Sequence, residues 1–561
     1  MAWKLVAVLW VMATIAPEQA AGRDQSMPMV ETLVMAAVGA PVDTGSKGVF
    51  VVGMNPAQSQ QMQEELKKNL GKPNTEENAQ TVSASVLEFF RTRLFRPLVV
   101  TEVETREQGV LVIRYLEASL DEDGVVVTGN KWTDTKRLVA VYRDYGVKEG
   151  EPVVETKVSA ATAWLNSTQF RTVQPVYEAG ETEGTSRVRI EVKDRFPFKP
   201  VVSVSNSGTE NTGLFRFSGG VLIGDTPLPG IWMSGHQMSL QYTTNEHATM
   251  DAFSGSYSIP TRWSLPEAAP ITVNLSGSIV QMQPEMATGF EAFSSQSQLY
   301  THSAAVVAPW KVIETNTLEV SPSTKIGFDW KSYNSDMEFG GTSIYSTSPE
   351  IFQFWLDQSV TVRDPYGATT LGIKGVYSPG GFTDKNSDAT YQAVQSGTSA
   401  EFWVLQGGVE RLQRLPWSMS LRVKLDYQYT DCNLLPSEEI SFGGAMVGRG
   451  YDLDIYQGDS GATGFVEILS PSWSLGRFGG SNFTFQMVGF LDWAWLYNQL
   501  AADLYEDAWQ EGLSAGVGPR FQWGDRMSAK LDLGIPLLDT GTDEPDDWFV
   551  RKVKFSVSFA Y

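Results

Sequence analysis

From Val202 onward, stretches in which apolar and polar positions alternate with a period of two recur along the chain. Met238, Leu240 and Tyr242 alternate with Ser239, Gln241 and Thr243, and Ile271, Val273, Leu275, Gly277 and Ile279 alternate with Thr272, Asn274, Ser276 and Ser278. The cleanest strand runs from Met419 to Thr430. Met419, Leu421, Val423, Leu425, Tyr427 and Tyr429 form one face, and Ser420, Arg422, Lys424, Asp426, Gln428 and Thr430 the other. A soluble sandwich would bury the first face against a second sheet; a membrane barrel would turn it to lipid. A wholly polar opposite face and two tyrosines closing the apolar one favour lipid. The chain ends with Val553, Phe555, Val557, Phe559 and Tyr561 on one face, and this strand would pair with the first, near Val201 to Ser205, leaving no edge. Residues 196–561, at about 10 residues per spanning strand, predict a membrane β-barrel of about 16 antiparallel strands.

The pattern before Phe196 is different. Gly48 to Gly53 predicts a strand, followed by a helix from Ala57 to Leu70 with Met62, Leu66 and Leu70 on one face. A second helix, Glu77 to Leu94, aligns Val82, Val86, Phe89, Phe90 and Leu94, and strands follow at Leu98 to Glu104 and Val110 to Leu116. The same order recurs: a strand from Gly124, a helix capped by Asp134 and stopped by Gly146, a helix from Glu155 to Leu165, and strands Phe170 to Tyr177 and Ser186 to Val192. Two β-α-α-β-β units are therefore expected, over 48–120 and 121–195. Residues 23–47 read as a linker or plug segment, with Val30 to Val38 as a short helix. Residues 1–22 have the form of a signal peptide: Lys4, a twelve-residue apolar run from Leu5 to Ala16, and a small-residue exit at Ala20-Ala21-Gly22. That run is shorter than the roughly 20 residues of a spanning helix.

Composition narrows the chemistry. Lys and Arg number 43 against 65 Asp and Glu, a net charge of -22 that disfavours nucleic acid as a partner. Cys432 is the single cysteine, so no intramolecular disulfide forms. The histidines, His236, His247 and His302, have no ligand spacing, so no metal or other cofactor is expected. Asp459-Ser460-Gly461 has no histidine nearby and Gly71-Lys72 lacks the preceding glycine of a phosphate loop. No catalytic residue is assigned, and the chain is not expected to be an enzyme.

The stretch from Ser441 to Ala462 interrupts the strand pattern, and in it Arg449 stands between Gly448 and Gly450 and before Tyr451. A charged tip in a wet lumen needs a carboxylate on the wall, best met by a bidentate pair. Downstream, Phe490 and Asp492 share one strand face while Leu491, Trp493 and Trp495 take the other.

The two N-terminal units resemble POTRA domains, periplasmic modules that bind extended chains by strand addition. The segments Arg449-Gly450-Tyr451-Asp452, Gly458-Asp459-Ser460-Gly461 and Gly489-Phe490-Leu491-Asp492 resemble motifs of the two-partner secretion transporters (TpsB-like, hemolysin secretion/activation proteins), within the superfamily of the assembly protein BamA. Gly448 stands where that family usually has valine, and Ala494 where it often has glycine. The resemblance implies a lid loop, 441–462, folded into the lumen, with Arg449 contacting Asp492 and Phe490 and Tyr451 packing nearby. It also implies that Phe559 and Tyr561 belong to a C-terminal assembly signal read by the barrel-assembly machinery. The expected function is an outer-membrane translocator, a monomer surrounded by outer-membrane lipid, that captures an unfolded exoprotein in the periplasm and secretes it to the cell surface. A BamA-like assembly factor and a passive porin are the alternatives.

Overall fold

The computed structural model describes residues 28–561, apart from 43–44, 55, 91–97, 107–108, 118, 183–184, 210–211, 226, 229–230, 233–234, 266–267, 285–292, 316, 341, 501–507 and 539–552. The expected signal peptide and Leu94 lie outside the described residues. Among the described residues no helix is long and apolar enough to cross a membrane.

The first α+β domain corrects one expectation. The segment read as a short helix is the strand Thr32–Ala37, so 23–47 is not wholly linker or plug. It lies inside a four-stranded sheet ordered Gly48–Val52, Thr32–Ala37, Val110–Glu117, Leu98–Arg106, and runs parallel to both neighbours. A strand paired on both edges and covered by helices reads as an unbroken apolar run, which period alone does not separate from a helix. The helices Pro56–Lys67 and Glu76–Phe89 cover the sheet, setting Met62, Leu66, Val82 and Val86 against Leu33, Met35, Leu111 and Ile113.

In the second domain Asp134 caps the helix Thr135–Asp144, its carboxylate accepting the Arg137 N–H at 3.1 Å, and Gly146 ends that turn with φ of +84°. The helix Glu155–Leu165 buries Val158, Ala161, Trp164 and Leu165, and the domain's three-stranded sheet is ordered Ser119–Thr128, Thr185–Asp194, Arg171–Ala179. This domain is tied to the barrel. The Trp164 indole donates to the Pro260 carbonyl at 3.3 Å, and buried Arg171 donates to the Leu165 carbonyl at 2.8 Å and to Asp225 at 3.0 Å.

The barrel consists of sixteen long antiparallel strands among the described residues, from Phe198–Ser205 to Val553–Ala560. Closure pairs the last with the first, Val557 opposite Val204 and Phe559 opposite Val202, in the place the sequence indicated. Aromatic side chains mark two levels on the outside. Trp263, Trp310, Tyr366 and Trp417 lie toward the end joined to the second domain, with Trp417 85% exposed, and Trp403, Tyr429, Trp495 and Trp509 lie toward the far end. Such paired belts fit the two interfaces of a bilayer. Inside, the even-numbered polar residues of Ser420–Tyr429 make ion pairs: Arg422 with Glu410 at 2.8 Å, Lys424 with Asp426 at 2.7 Å.

Candidate functional site: the lid seat on the inner wall

The eleventh strand, Ser420–Tyr429, and the twelfth, Ser460–Leu469, are neighbours in the wall, yet thirty residues, 430–459, separate them at the far end. This excursion is longer at its start than the expected 441–462 and ends earlier, because Ser460, Gly461 and Ala462 belong to the wall. A short hairpin of Ile440–Phe442 with Tyr456–Gly458 carries its tip inward.

The root of the excursion is pinned first. The Asp459 carboxylate accepts the N–H groups of Leu434 at 2.6 Å and Gln499 at 2.7 Å. Lys331, on the wall strand Glu319–Phe339, pairs with Glu438 at 2.8 Å. Leu434 and Leu435 are buried with Tyr391, Phe402 and Val404, so the root also packs beneath the 380–400 connection. Burial pushes the Glu439 carboxyl above its ordinary value; the Gln395 amide opposes this and the charge of Asp459 adds to it.

At the tip the Arg449 guanidinium is enclosed. Its Nε donates to Asp492 Oδ2 at 2.9 Å and its Nη2 to Asp492 Oδ1 at 2.6 Å, the two-pronged geometry that suits arginine. The remaining Nη1 donates to Glu467 Oε1 at 2.6 Å. Asp492 Oδ2 further accepts the main-chain N–H groups of Gly448 at 3.0 Å and Arg449 at 2.8 Å. The guanidinium carbon stands 3.7 Å from the Phe490 ring centroid, so the charge is stacked as well as paired. Asp492 is wholly buried and Arg449 3% exposed, which makes this a desolvated ion cluster rather than a surface pair.

The wall strands build this seat by register. On Ser481–Tyr497, Phe490 and Asp492 point inward while Leu491 and Trp495 are exposed on the outside. On the twelfth strand Phe465 lies opposite Asp492 and Glu467 opposite Phe490. Glu467 was not singled out from the sequence; its inward parity with Phe465 was legible, but its neighbour across the sheet was not. Next to Asp492 on the other side, Trp509–Trp523 presents Gly512, Ser514, Gly516 and Gly518 inward. A Cβ at Gly512 would stand 2.2 Å from the Phe442 ring, so the lid lies flat on bare backbone there.

Tyr451 is buried at the seat with Phe442 and Tyr456, its centroid 5.5 Å from that of Phe442. Its hydroxyl lies 2.9 Å from the Leu513 carbonyl and 2.8 Å from that of Leu538. Gly448 has φ of +82°, and a Cβ on it would stand 2.7 Å from the Gly443 nitrogen. Glycine therefore lets this loop turn its two N–H groups onto Asp492. Phe559 and Tyr561 face outward at the closing strand, away from the seat. Among the described residues no group of three or more His, Cys, Asp or Glu is placed to hold a metal ion. His236 hydrogen-bonds Tyr257 at 2.6 Å, His302 stacks on Trp330, and His247 lies 3.9 Å from Glu246.

The sequence model of the haemolysin secretion/activation protein ShlB/FhaC/HecB matches residues 184–518, a span that includes both the lid and its seat. The heme/hemopexin transporter protein HuxB of Haemophilus influenzae is 21% identical over 404 residues, 71% of this chain. The chain spans 66% of the length of that relative, just under two thirds. CdiB from Escherichia coli superposes with a TM-score of 0.71 at 17% identity, covering 98% of this chain and 93% of CdiB. BamA from Haemophilus ducreyi lacking POTRA domains 1-3 gives a TM-score of 0.51 at 13% identity, covering 91% of this chain and 98% of that one. At those identities the two superpositions speak to fold.

Proposed function

Because the chain belongs to the haemolysin secretion/activation protein ShlB/FhaC/HecB family and resides in the bacterial outer membrane with its N-terminal domains in the periplasm, we propose that it secretes a partner exoprotein through its barrel. The observation that carries this reading is the enclosed Arg449 at the tip of a lid held on Asp492 and Glu467. A porin needs no buried cation to hold a loop across its lumen. A seat built from a desolvated ion cluster is well defined when closed and costly to leave, which suits a gate. The exported chain enters unfolded from the periplasmic domains, the lid leaves its seat, and the chain folds outside. No nucleotide takes part, and folding on the far side supplies the free energy.

Gly448, Arg449, Gly450 and Tyr451 are assigned to the lid tip, and Phe490 and Asp492 to the wall that receives it. Phe559 and Tyr561 are assigned to recognition by the assembly machinery. Deleting the gene and comparing the proteins of the medium and outer membrane tests the reading. Loss of one or two large secreted proteins supports it. Broad loss of membrane barrels would instead identify an assembly factor, and no loss at all a passive pore.

A further inference from the structure

Lifting Arg449 from its seat exposes a problem in the wall. Two buried carboxylates, Asp492 and Glu467, would lose their shared cation, and an uncompensated buried charge is costly. The surrounding strands hold two groups placed to meet that cost.

The first is Arg422. It stands directly opposite Glu467 in the neighbouring strand, and its Nη1 is 3.5 Å from Glu467 Oε2, the oxygen that Arg449 does not take. Both guanidiniums also share Phe465, Arg422 at 5.0 Å from the ring centroid and Arg449 at 5.6 Å. Arg422 thus already reaches the free oxygen of Glu467 with Nη1 while its Nε holds Glu410 at 2.8 Å on the other side. Of the other nearby cations, Arg520 is held by Asp532 of the wall at 2.7 Å, whereas Lys530 donates to the lid's own Ala445 carbonyl at 3.4 Å and loses that partner when the lid leaves.

The second is Ser514. It lies directly opposite Asp492 in the next strand, on the same inward face, and is wholly buried. Its hydroxyl has no hydrogen-bond partner among the described residues. A buried hydroxyl without a partner is uncommon, and here Asp492 has its oxygens taken by Arg449 and two main-chain N–H groups.

We propose that Arg422 and Ser514 are positioning residues for the open gate, receiving Glu467 and Asp492 respectively when Arg449 withdraws. Arg422 closes its gap to Glu467, and the Ser514 hydroxyl rotates to donate to Asp492. Both rearrangements use side chains already in place, so the wall is prepared for two states. The inference rests on the reading that the lid moves.

It makes a prediction of unusual sign. If these residues merely supported the closed seat, removing them would loosen the lid. If they serve the open state, removing them holds the lid shut. The test is the single-channel record of the purified full chain in planar bilayers with potassium chloride. Arg422→Met keeps the apolar stem on Phe465 and removes the donors, and Ser514→Ala removes the hydroxyl. Each is expected to lower opening frequency by about tenfold, since hydrogen bonds to charged groups are the stronger class. Arg422→Lys and Ser514→Thr should recover much of it. Ser514→Ala should leave the closed barrel's melting temperature unchanged or higher, since it deletes an unpartnered buried group. Unchanged or increased opening in Arg422→Met and Ser514→Ala overturns the inference. Arg449→Ala serves as reference: if it fails to raise opening, the gate reading itself falls and this inference with it.

Discussion

Gly450 of the lid and Gly534 of the wall meet backbone to backbone. A Cβ on Gly534 would stand 2.3 Å from the Arg449 carbonyl oxygen, and one on Gly450 would stand 2.8 Å from the Gly534 carbonyl carbon. The guanidinium reaches Asp492 because the main chain behind it can lie directly on the fifteenth strand, Met527–Pro536. Gly534 is the cleaner site to test, since its φ is not in the left-handed region, whereas Gly450 has φ of +110°. Gly534→Val is expected to unseat the lid at a cost of about 1–3 kcal/mol of overpacking while leaving the strand intact. Protease cleavage within 443–454 of the folded protein should become faster than in wild type. An identical cleavage rate would mean that the lid does not depend on this contact.

Arg449→Ala leaves Asp492 and Glu467 buried without their common cation, a change expected to weaken the closed seat by about 3–5 kcal/mol. Asp492→Asn should cost less, because an amide still accepts from one main-chain N–H. The reciprocal pair Arg449→Asp with Asp492→Arg is not expected to restore closure. Asp492 also accepts two main-chain N–H groups from 448 and 449, which an arginine in its place would meet as donor against donor, and Glu467 would face a carboxylate. Opening frequency in bilayers ranks the variants; a double reversal that closes like wild type would show that the side-chain pair alone holds the lid.

Gly448→Val installs the residue more usual in the family at this position. With φ of +82° and the Gly443 nitrogen 2.7 Å from where a Cβ would stand, valine cannot be accommodated on this backbone. Strain of about 1–3 kcal/mol is expected, paired with loss of the Gly448 N–H bond to Asp492. Hydrogen exchange at 448 and 449 should quicken in the variant. Protection equal to wild type would indicate that the loop readily adopts a second path.

Much of the architecture was legible because a barrel strand turns a mostly polar face to the lumen and an apolar one to lipid, so the period-2 signal survives, as in Ser420–Tyr429. The helices were legible from their caps and apolar stripes; Glu155–Leu165 matches residue for residue. Thr32–Ala37 was not, because its alternation is erased by burial on both sides. At the site, Arg449 and Asp492 stood out through motifs that flank them. Glu467 did not, being one acidic residue among 65, distinguished only by cross-strand register with Phe490. The unpartnered Ser514 hydroxyl belongs to the same class of fact: a serine in a glycine-rich strand says nothing until the neighbour opposite is known.

The second domain carries a pH-dependent hold on its own fold at Asp194. This carboxylate, at the end of the strand Thr185–Asp194, accepts the N–H groups of Lys131 at 2.8 Å, Trp132 at 2.8 Å and Thr133 at 2.7 Å, fixing the turn that precedes the helix Thr135–Asp144. Partial burial pushes its pKa up, but the three main-chain donors outweigh that and hold it below the ordinary aspartate value. A depressed folded-state pKa means that the unfolded turn takes up its proton first as pH falls. The stabilisation is therefore complete above the unfolded value of about 3.9 and is lost as pH drops through the lower folded one. Amide exchange at 131–133, corrected for intrinsic rate, should show protection that is flat from neutral pH down to about 4 and declines below it. In Asp194→Asn the amide presents one acceptor oxygen and one donor group, so protection should be reduced at neutral pH and insensitive to acid over the same range. Wild-type protection that persists unchanged well below the ordinary aspartate value, or a variant that matches wild type at neutral pH, would show that the turn is held by something other than this carboxylate.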